Sequence, residues 1–247
     1  MSARVALVTG GGRGIGAAAV SALASAGHSV AVGDLLDDAA AESAAAARAE
    51  GASAVACRLD VTDGDSVREA FDRVTEELGP IDVLVNCAGW DEFRSFLDTD
   101  EPFWRRVIAV NYEGCLRTTQ AVLAGMAERQ WGRVVNVSSD AARVGSAQEA
   151  VYAGAKAGVI AFTKTVAREF ARSGVTANAV CPGPTDTDLL RQMAEGAPTP
   201  TGSSRPFRGR CRCAASGARR RWRRRSRSSP PRRRGSSRGR RCRSAAA

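Results

Sequence analysis

Histidine is almost absent from this chain: among 247 residues there is one, His28. A Ser/His/Asp triad needs an imidazole beside its nucleophile, and a histidine-built metal centre needs several, so both chemistries are excluded in practice. The seven cysteines are scattered and lack metal-ligand spacing, apart from a weak Cys211-x-Cys213 pair. No metal is therefore expected, and buried, reduced thiols are the natural reading. Long apolar runs are also missing, so nothing in the chain is suited to span a bilayer. Met1-Ser2-Ala3-Arg4 leads straight into an apolar strand without a cleavable apolar region, which makes a cytoplasmic location the expectation. The last absence is local. All 26 Asp and Glu lie in residues 1–196 beside 18 of the Lys and Arg, whereas residues 197–247 carry the other 18 basic residues, all arginine, and no acid.

The first part has ordinary globular composition and a length suited to one α/β domain. Residues 4–9, RVALVT, form a short apolar run that stops at Gly10-Gly11-Gly12-Arg13-Gly14-Ile15-Gly16 and passes into an alanine-rich helix ending at Gly27. This is the pattern of a buried parallel strand, a tight turn and a helix. Glycines at 10, 14 and 16 let backbone N–H groups approach a pyrophosphate, whose charge is favoured at the helix N-terminus. A second strand, SVAVGD, delivers Asp34 eighteen residues after Gly16. An acid there accepts hydrogen bonds from an adenosine ribose and repels a 2′-phosphate, so NAD is the expected cofactor.

The alternation of strand and helix continues. A helix covers roughly residues 38–50, and the strand SAVACRLD ends at Asp60, whose carboxylate could reach an adenine amino group. Val67, Phe71, Val74 and Leu78 then mark a helix face that belongs to the core. Strand IDVLVN runs into Asn86-Cys87-Ala88-Gly89, where small residues leave room for a nucleotide. A helical region begins near Pro102 and contains Asn111, a polar residue among apolar ones: a satisfied interior amide, or a bend that positions water. Strand RVVNVSS ends at Ser138-Ser139, a further helix carries Tyr152 and Lys156, and VTANAV leads through Cys181 to Pro182-Gly183. Six strands with interleaved helices predict an α/β, Rossmann-like doubly wound parallel sheet with helices on both faces. In such sheets ligands bind beyond the carboxyl ends of the strands.

Tyr152 and Lys156 are spaced i to i+4, so a helix projects phenol and ammonium from one face. A cation beside a phenol favours phenolate and moves its pKa down from about 10 toward a working value. Ser139, from a separate strand end, is placed to hold a substrate oxygen.

Taken together and in order, Thr9-Gly10-x-x-x-Gly14-Ile15-Gly16, Asp60-Val61, Asn86-Cys87-Ala88-Gly89, Asn111, Ser139, Tyr152-x-x-x-Lys156 and Pro182-Gly183 resemble the short-chain dehydrogenase/reductase family over about residues 4–193. Cys87 departs from the Asn that the family often has there. The resemblance implies an oxidoreductase interconverting a secondary alcohol and a ketone. Tyr152 would be its acid/base, Lys156 would bind the nicotinamide ribose and depress the Tyr152 pKa, Ser139 would hold the substrate oxygen, and Asn111 would support a proton relay. It implies cofactor contacts at Gly10, Arg13, Gly14, Ile15, Gly16, Asp34, Asp60, Val61, Asn86, Ala88, Gly89, Tyr152, Lys156, Pro182, Gly183 and Thr185, a small-molecule substrate and a homodimer or homotetramer. Within the family, Gly89-Trp90-Asp91, residues 139–145 and residues 181–187 look like dehydrogenases of 2-hydroxycyclohexanecarboxyl-CoA, which makes a β-hydroxyacyl-CoA thioester the expected substrate. A 3-oxoacyl thioester reductase, or another short-chain alcohol dehydrogenase, is the alternative.

The resemblance stops near Pro198. A dinucleotide-binding domain over residues 1–197 and an Arg/Ser-rich low-complexity segment over residues 198–247 are expected, with the family's last strand missing. The composition of the second segment is what a GC-rich reading frame gives out of register, so a frameshift is the expected origin and a genuine tail the other one. Eighteen arginines with few aromatics would bind nucleic acid without sequence preference. Two further readings follow: an arginine-rich nucleic-acid-binding protein, and an enzyme inactive for want of its ending.

Overall fold

The computed structural model of the chain describes residues 3–196; the arginine-rich segment, with its Cys211-x-Cys213 pair, lies outside the described residues. The chain alternates β1 (Val5–Thr9), α1 (Gly14–Ser25), β2 (Ser29–Asp34), α2 (Asp37–Ala49), β3 (Ala54–Arg58), α3 (Gly64–Leu78) and β4 (Val83–Asn86). Then come α4 (Glu101–Ile108), a π-helical segment (Ala109–Glu113), α5 (Gly114–Glu128), β5 (Gly132–Val137), a short α6 (Ala141–Val144), α7 (Ala150–Glu169), β6 (Val175–Val180) and α8 (Asp188–Gly196). All six strands are parallel and stand in the order β3-β2-β1-β4-β5-β6. The chain reverses direction across the sheet between β1 and β4, where a crevice opens at the carboxyl ends of the strands.

Strand parity decides which helices cover which face. Val5 and Leu7 of β1 turn to a core shared with α3, α5 and α7, while Ala6 and Val8 turn to one shared with α1 and α2. Every residue of β1 is therefore buried, which is why its sequence reads as an unbroken apolar run. On α2, Ala40, Ala44 and Ala47 form the buried stripe, and their small side chains let the helix lie close on the sheet. On α3 the predicted stripe is buried at Val67, Phe71 and Val74, and the Asp63 side chain caps the helix by accepting from the Asp65 amide at 3.0 Å. Helix α4 starts as Pro102 foretells, with Asp100 accepting from the Phe103 amide at 2.9 Å.

Register aligns the site. Thr9 stands opposite Gly33 on one side and Asn86 on the other, and Asn86 opposite Asn136. One row across the sheet thus carries Gly33, Thr9, Asn86 and Asn136, and the loops that leave the strands just beyond it meet above the crevice.

Candidate active site

The glycine turn is shaped by close approach. Gly10 has a φ of +64°, and a Cβ on it would lie 2.8 Å from the Ala88 Cα; a Cβ on Gly16 would run into the Gly10 carbonyl. Backbone is thereby packed against backbone where α1 begins, beside the exit of β4. Asp34 ends β2 and is buried; Oδ2 accepts from the Gly12 amide at 2.9 Å and Oδ1 from the Leu36 amide at 3.0 Å. Each carboxylate oxygen keeps lone-pair capacity for a further donor. Ile15 is half-buried, Arg13 is exposed, and a Cβ on Gly14 would lie 3.2 Å from Thr187 Cγ2 in the loop after β6. The loop holding Pro182, Gly183 and Thr185 therefore runs past the start of α1. The Asp140 amide, from the loop after β5, donates to the Pro182 carbonyl at 2.9 Å, and within the loop the Thr185 hydroxyl donates to the Gly183 carbonyl at 3.0 Å. Oδ1 of Asp60 is engaged in its own turn, accepting from the Thr62 amide (2.8 Å) and hydroxyl (2.6 Å); Val61 is buried against Gly114.

At the exit of β4, the buried Thr9 hydroxyl accepts from the Cys87 and Ala88 amides, both at 3.1 Å, and so fixes the loop. The Asn86 side chain does not face that loop. Its amide donates to Thr119 Oγ1 (3.0 Å) and Asn136 Oδ1 (2.8 Å), and its oxygen accepts from the Thr118 hydroxyl (2.7 Å). Asn136 in turn donates to Thr163 at 2.8 Å. The polar atoms of the Asn86 side chain are thus taken up in a buried network that ties β4, β5, α5 and α7 together, leaving its backbone at the crevice.

The π-helical segment bends the α4–α5 helix at Asn111, which is buried. Its amide donates to the Trp90 carbonyl (2.6 Å) and the Val107 carbonyl (2.9 Å), and its oxygen accepts from the Trp90 amide (3.3 Å). Of the two readings offered by the sequence, the structure shows both a satisfied amide and a bend. Gly89 sits at this junction: a Cβ there would lie 3.1 Å from Asn111 Oδ1 and 3.6 Å from Lys156 Nζ.

Lys156 is buried on α7. Its ammonium donates to the Val137 carbonyl at 2.9 Å, and the Ser138 hydroxyl donates to the Lys156 carbonyl at 2.8 Å, so the end of β5 and the middle of α7 grip each other. The ammonium lies 5.7 Å from the centre of the half-buried Tyr152 ring. Ser139 accepts from the Ala141 amide at 3.2 Å, and hydrogen bonding between its hydroxyl and the phenol draws the Tyr152 pKa down. Burial outweighs that effect, and with Asp91, Glu149 and Cys87 acting in the same sense it pushes the phenol up to about 12. Desolvation lowers the ammonium's own pKa, and one of its three N–H groups is donated to the Val137 carbonyl.

Asp91, two residues past Gly89, carries no site role in the sequence reading. It is buried, lines the same cleft as Tyr152, and is pushed up to about 7, chiefly by desolvation. Trp90 packs edge-on to Phe103 (5.8 Å between centroids) beneath the Arg106 guanidinium (3.8 Å), and the exposed Arg143 pairs with Asp140 at 3.6 Å. Among the described residues no cluster suited to a metal ion occurs, and no helix is long and apolar enough to cross a membrane.

Residues 4–198 match the family model for short chain dehydrogenase. The chain is 43% identical over 193 residues to acetoacetyl-CoA reductase of Paracoccus denitrificans, covering 78% of each protein. It is 38% identical over 203 residues to 3-oxoacyl-[acyl-carrier-protein] reductase of Vibrio cholerae serotype O1, covering 81% of each. Among solved structures, a variant of actinorhodin polyketide ketoreductase with NADPH is similar at 35% identity and a TM-score of 0.76, with 78% of this chain and 75% of that one covered.

Proposed function

Since the chain belongs to the short-chain dehydrogenase family, a family of oxidoreductases, we propose that it reduces a 3-oxoacyl thioester to the 3-hydroxyacyl thioester with NADH. The direction is supported by Tyr152, a half-buried phenol whose pKa burial pushes up to about 12, and by the similar proteins, both of them reductases. Reduction of a ketone needs an acid that arrives protonated, whereas oxidation of an alcohol needs a phenolate, which this environment disfavours at neutral pH. The thioester is supported by the similar proteins, an acetoacetyl-CoA reductase and a 3-oxoacyl-[acyl-carrier-protein] reductase. The reading therefore departs from the sequence expectation of a 2-hydroxycyclohexanecarboxyl-CoA dehydrogenase. That substrate keeps second place, on the aromatic wall that Trp90 and Phe103 form beside the cleft.

The site fits a nicotinamide dinucleotide: a turn with no room for side chains at Gly10 and Gly16, next to a buried carboxylate with spare acceptor capacity. Gly10, Gly14 and Gly16 would bind the pyrophosphate, Asp34 the adenosine ribose, and Lys156 the nicotinamide ribose. Asp34 is joined by Asp37 and Asp38 at the start of α2; of the cations in this corner, Arg58 is paired with Asp37 at 3.1 Å and Arg13 is exposed on the glycine turn. A 2′-phosphate would meet acids there, which supports NADH, although the similar ketoreductase was solved with NADPH.

When bound, the nicotinamide supplies the hydride for the carbonyl carbon. Tyr152 gives its phenolic proton to the carbonyl oxygen, and the Ser139 hydroxyl holds that oxygen in place. Asn111 keeps one lone pair of Oδ1 outside its three bonds, enough to hold one water of a relay that returns a proton to Tyr152.

The test is an initial-rate comparison of acetoacetyl-CoA, 2-oxocyclohexanecarboxyl-CoA and simple ketones, each with NADH and NADPH. Fastest turnover of acetoacetyl-CoA with NADH is expected. Turnover of simple ketones without any of the thioesters would sink the substrate, and a preference for NADPH would sink the reading of Asp34.

A further inference from the structure

Asp91 is the one buried carboxyl beside the reacting phenol that the chemistry above does not use. It follows Trp90, whose amide and carbonyl are both held by Asn111, so its backbone is fixed to the bend between α4 and α5. Only 4% of its surface is exposed, and among the described residues its Oδ2 has no hydrogen-bond partner. It lines one cleft with Tyr152, Glu149, Gln148, Arg94 and Phe103. The arginine does not neutralise it, being engaged at 2.9 Å by Glu92 on the same loop.

We infer that Asp91 is a positioning residue for the proton of Tyr152: its charge, set in the wall of the cleft and unquenched by any donor on Oδ2, keeps the proton on the phenol. This rests on the reductase reading, to which it adds a device for staying protonated. A carboxylate in a poorly solvated wall acts on a neighbouring phenol through little screening, and a like charge disfavours phenolate. The charged and titratable groups around the pair are few. Glu92 and Arg94 lie on the Asp91 loop, Glu149 and Lys156 flank Tyr152 in sequence, Arg106 of α4 stacks on Trp90, and Cys87 faces from the exit of β4. Of these, Glu149 acts on the phenol as Asp91 does, Cys87, whose thiol burial holds neutral, does so only once ionised, and Lys156 opposes Asp91's own protonation.

The effect has a pH sign. Asp91 is pushed up to about 7, so above that pH its charge is present and the phenol holds its proton more tightly; below it the carboxyl is neutral and this hold is released. Ketone reduction is thereby extended to alkaline pH at the expense of alcohol oxidation.

The experiment compares the full-length protein with its Asp91→Asn and Asp91→Glu variants, following kcat against pH in both directions. With Asp91→Asn, the alkaline fall of reduction is expected to move to lower pH and oxidation at neutral pH to rise on the order of threefold to tenfold, as fits the loss of one nearby charge. Asp91→Glu should restore the parent profile. Uniform loss in both directions with unchanged profiles would reduce Asp91 to a packing role and overturn the proposal. A second readout needs no turnover. The chain has two tyrosines, Tyr112 and Tyr152, so phenolate absorbance of the NAD-loaded protein, with Tyr152→Phe subtracted, isolates the one concerned. Its midpoint should fall in Asp91→Asn; an unmoved midpoint refutes the inference. Should no thioester be reduced, the proposed reaction fails alone, because the absorbance titration still decides the part played by Asp91. If Asp91→Asn does not fold, Asp91→Ser serves the same measurements.

Discussion

From β1 out to β3 both faces of the sheet are covered, whereas at β6 the described residues cover only one: Val175 and Ala177 are buried, and Thr176, Asn178 and Val180 stay exposed. The two halves also achieve order by different means. The β1–β3 half is made of small residues and backbone, with glycines packed on main chain and alanines lining α2. The β4–β6 half is pinned by interlocked polar side chains, Asn86, Thr118, Thr119, Asn136 and Thr163, all buried. One half thus presents main-chain donors to a dinucleotide, and the other holds a phenol, a hydroxyl and an ammonium at fixed separations. Buried hydrogen-bonded networks resist distortion because breaking one member strands its partners.

The comparison can be broken on one side alone. Tyr152→Phe should lower turnover by about 10²–10⁴-fold while NADH affinity, measured by fluorescence titration, and thermal midpoint stay near those of the parent. Loss of NADH binding in that variant would show the halves to be inseparable. The next effect is a pH dependence of stability. Asp91 has a raised folded pKa, about 7 against 3.8, so its contribution is fully present below about 3.8 and is lost as pH rises through about 7. The loss amounts to at most about 4 kcal/mol. The thermal midpoint of Asp91→Asn relative to the parent should therefore climb between pH 4 and pH 7, and a constant difference across that window would remove the claim. Asn136→Ala strands one N–H of the Asn86 amide, while the Thr163 hydroxyl keeps its bond to the Val159 carbonyl, and should cost about 1–3 kcal/mol, read by denaturant unfolding. Gly16→Ala sharpens the other side: the methyl meets the Gly10 carbonyl, and a cost of about 1–3 kcal/mol with weakened NADH binding is expected.

These differences explain what could be read in advance. The glycine turn, Asp34 and the strand–helix alternation were legible because backbone geometry leaves a local mark: a turn that admits no Cβ demands glycine wherever it occurs. The parity of buried stripes on α2 and α3 was legible for a similar reason. The Asn86–Asn136–Thr163 network was not, since it joins residues 50 and 27 positions apart and isolated Asn and Thr in strands and helices carry no periodic signal. Asp91 was hidden because an acid after Gly-Trp reads as a loop residue, and only tertiary burial sets it beside Tyr152. The upward shift of Tyr152 was not legible because spacing i to i+4 brings Lys156 near without revealing how far tertiary packing desolvates the phenol. The expected domain boundary near residue 198 and everything after it fall outside the described residues.

The π-helical segment at Asn111 is slack taken up in one rod. Its five residues turn through about the same angle as four in a regular helix, so the extra residue is absorbed locally and α5 leaves in nearly the phase that α4 set. Phe103 and Val107 can therefore face α7 while Thr118 and Thr119 reach Asn86. Deleting one residue from Ala109–Glu113 would close the bulge without turning α5, and what it would remove is the bend from which the Asn111 amide reaches both the Trp90 and the Val107 carbonyls. Such a deletion would leave the frame on either side in place and fall on the site alone.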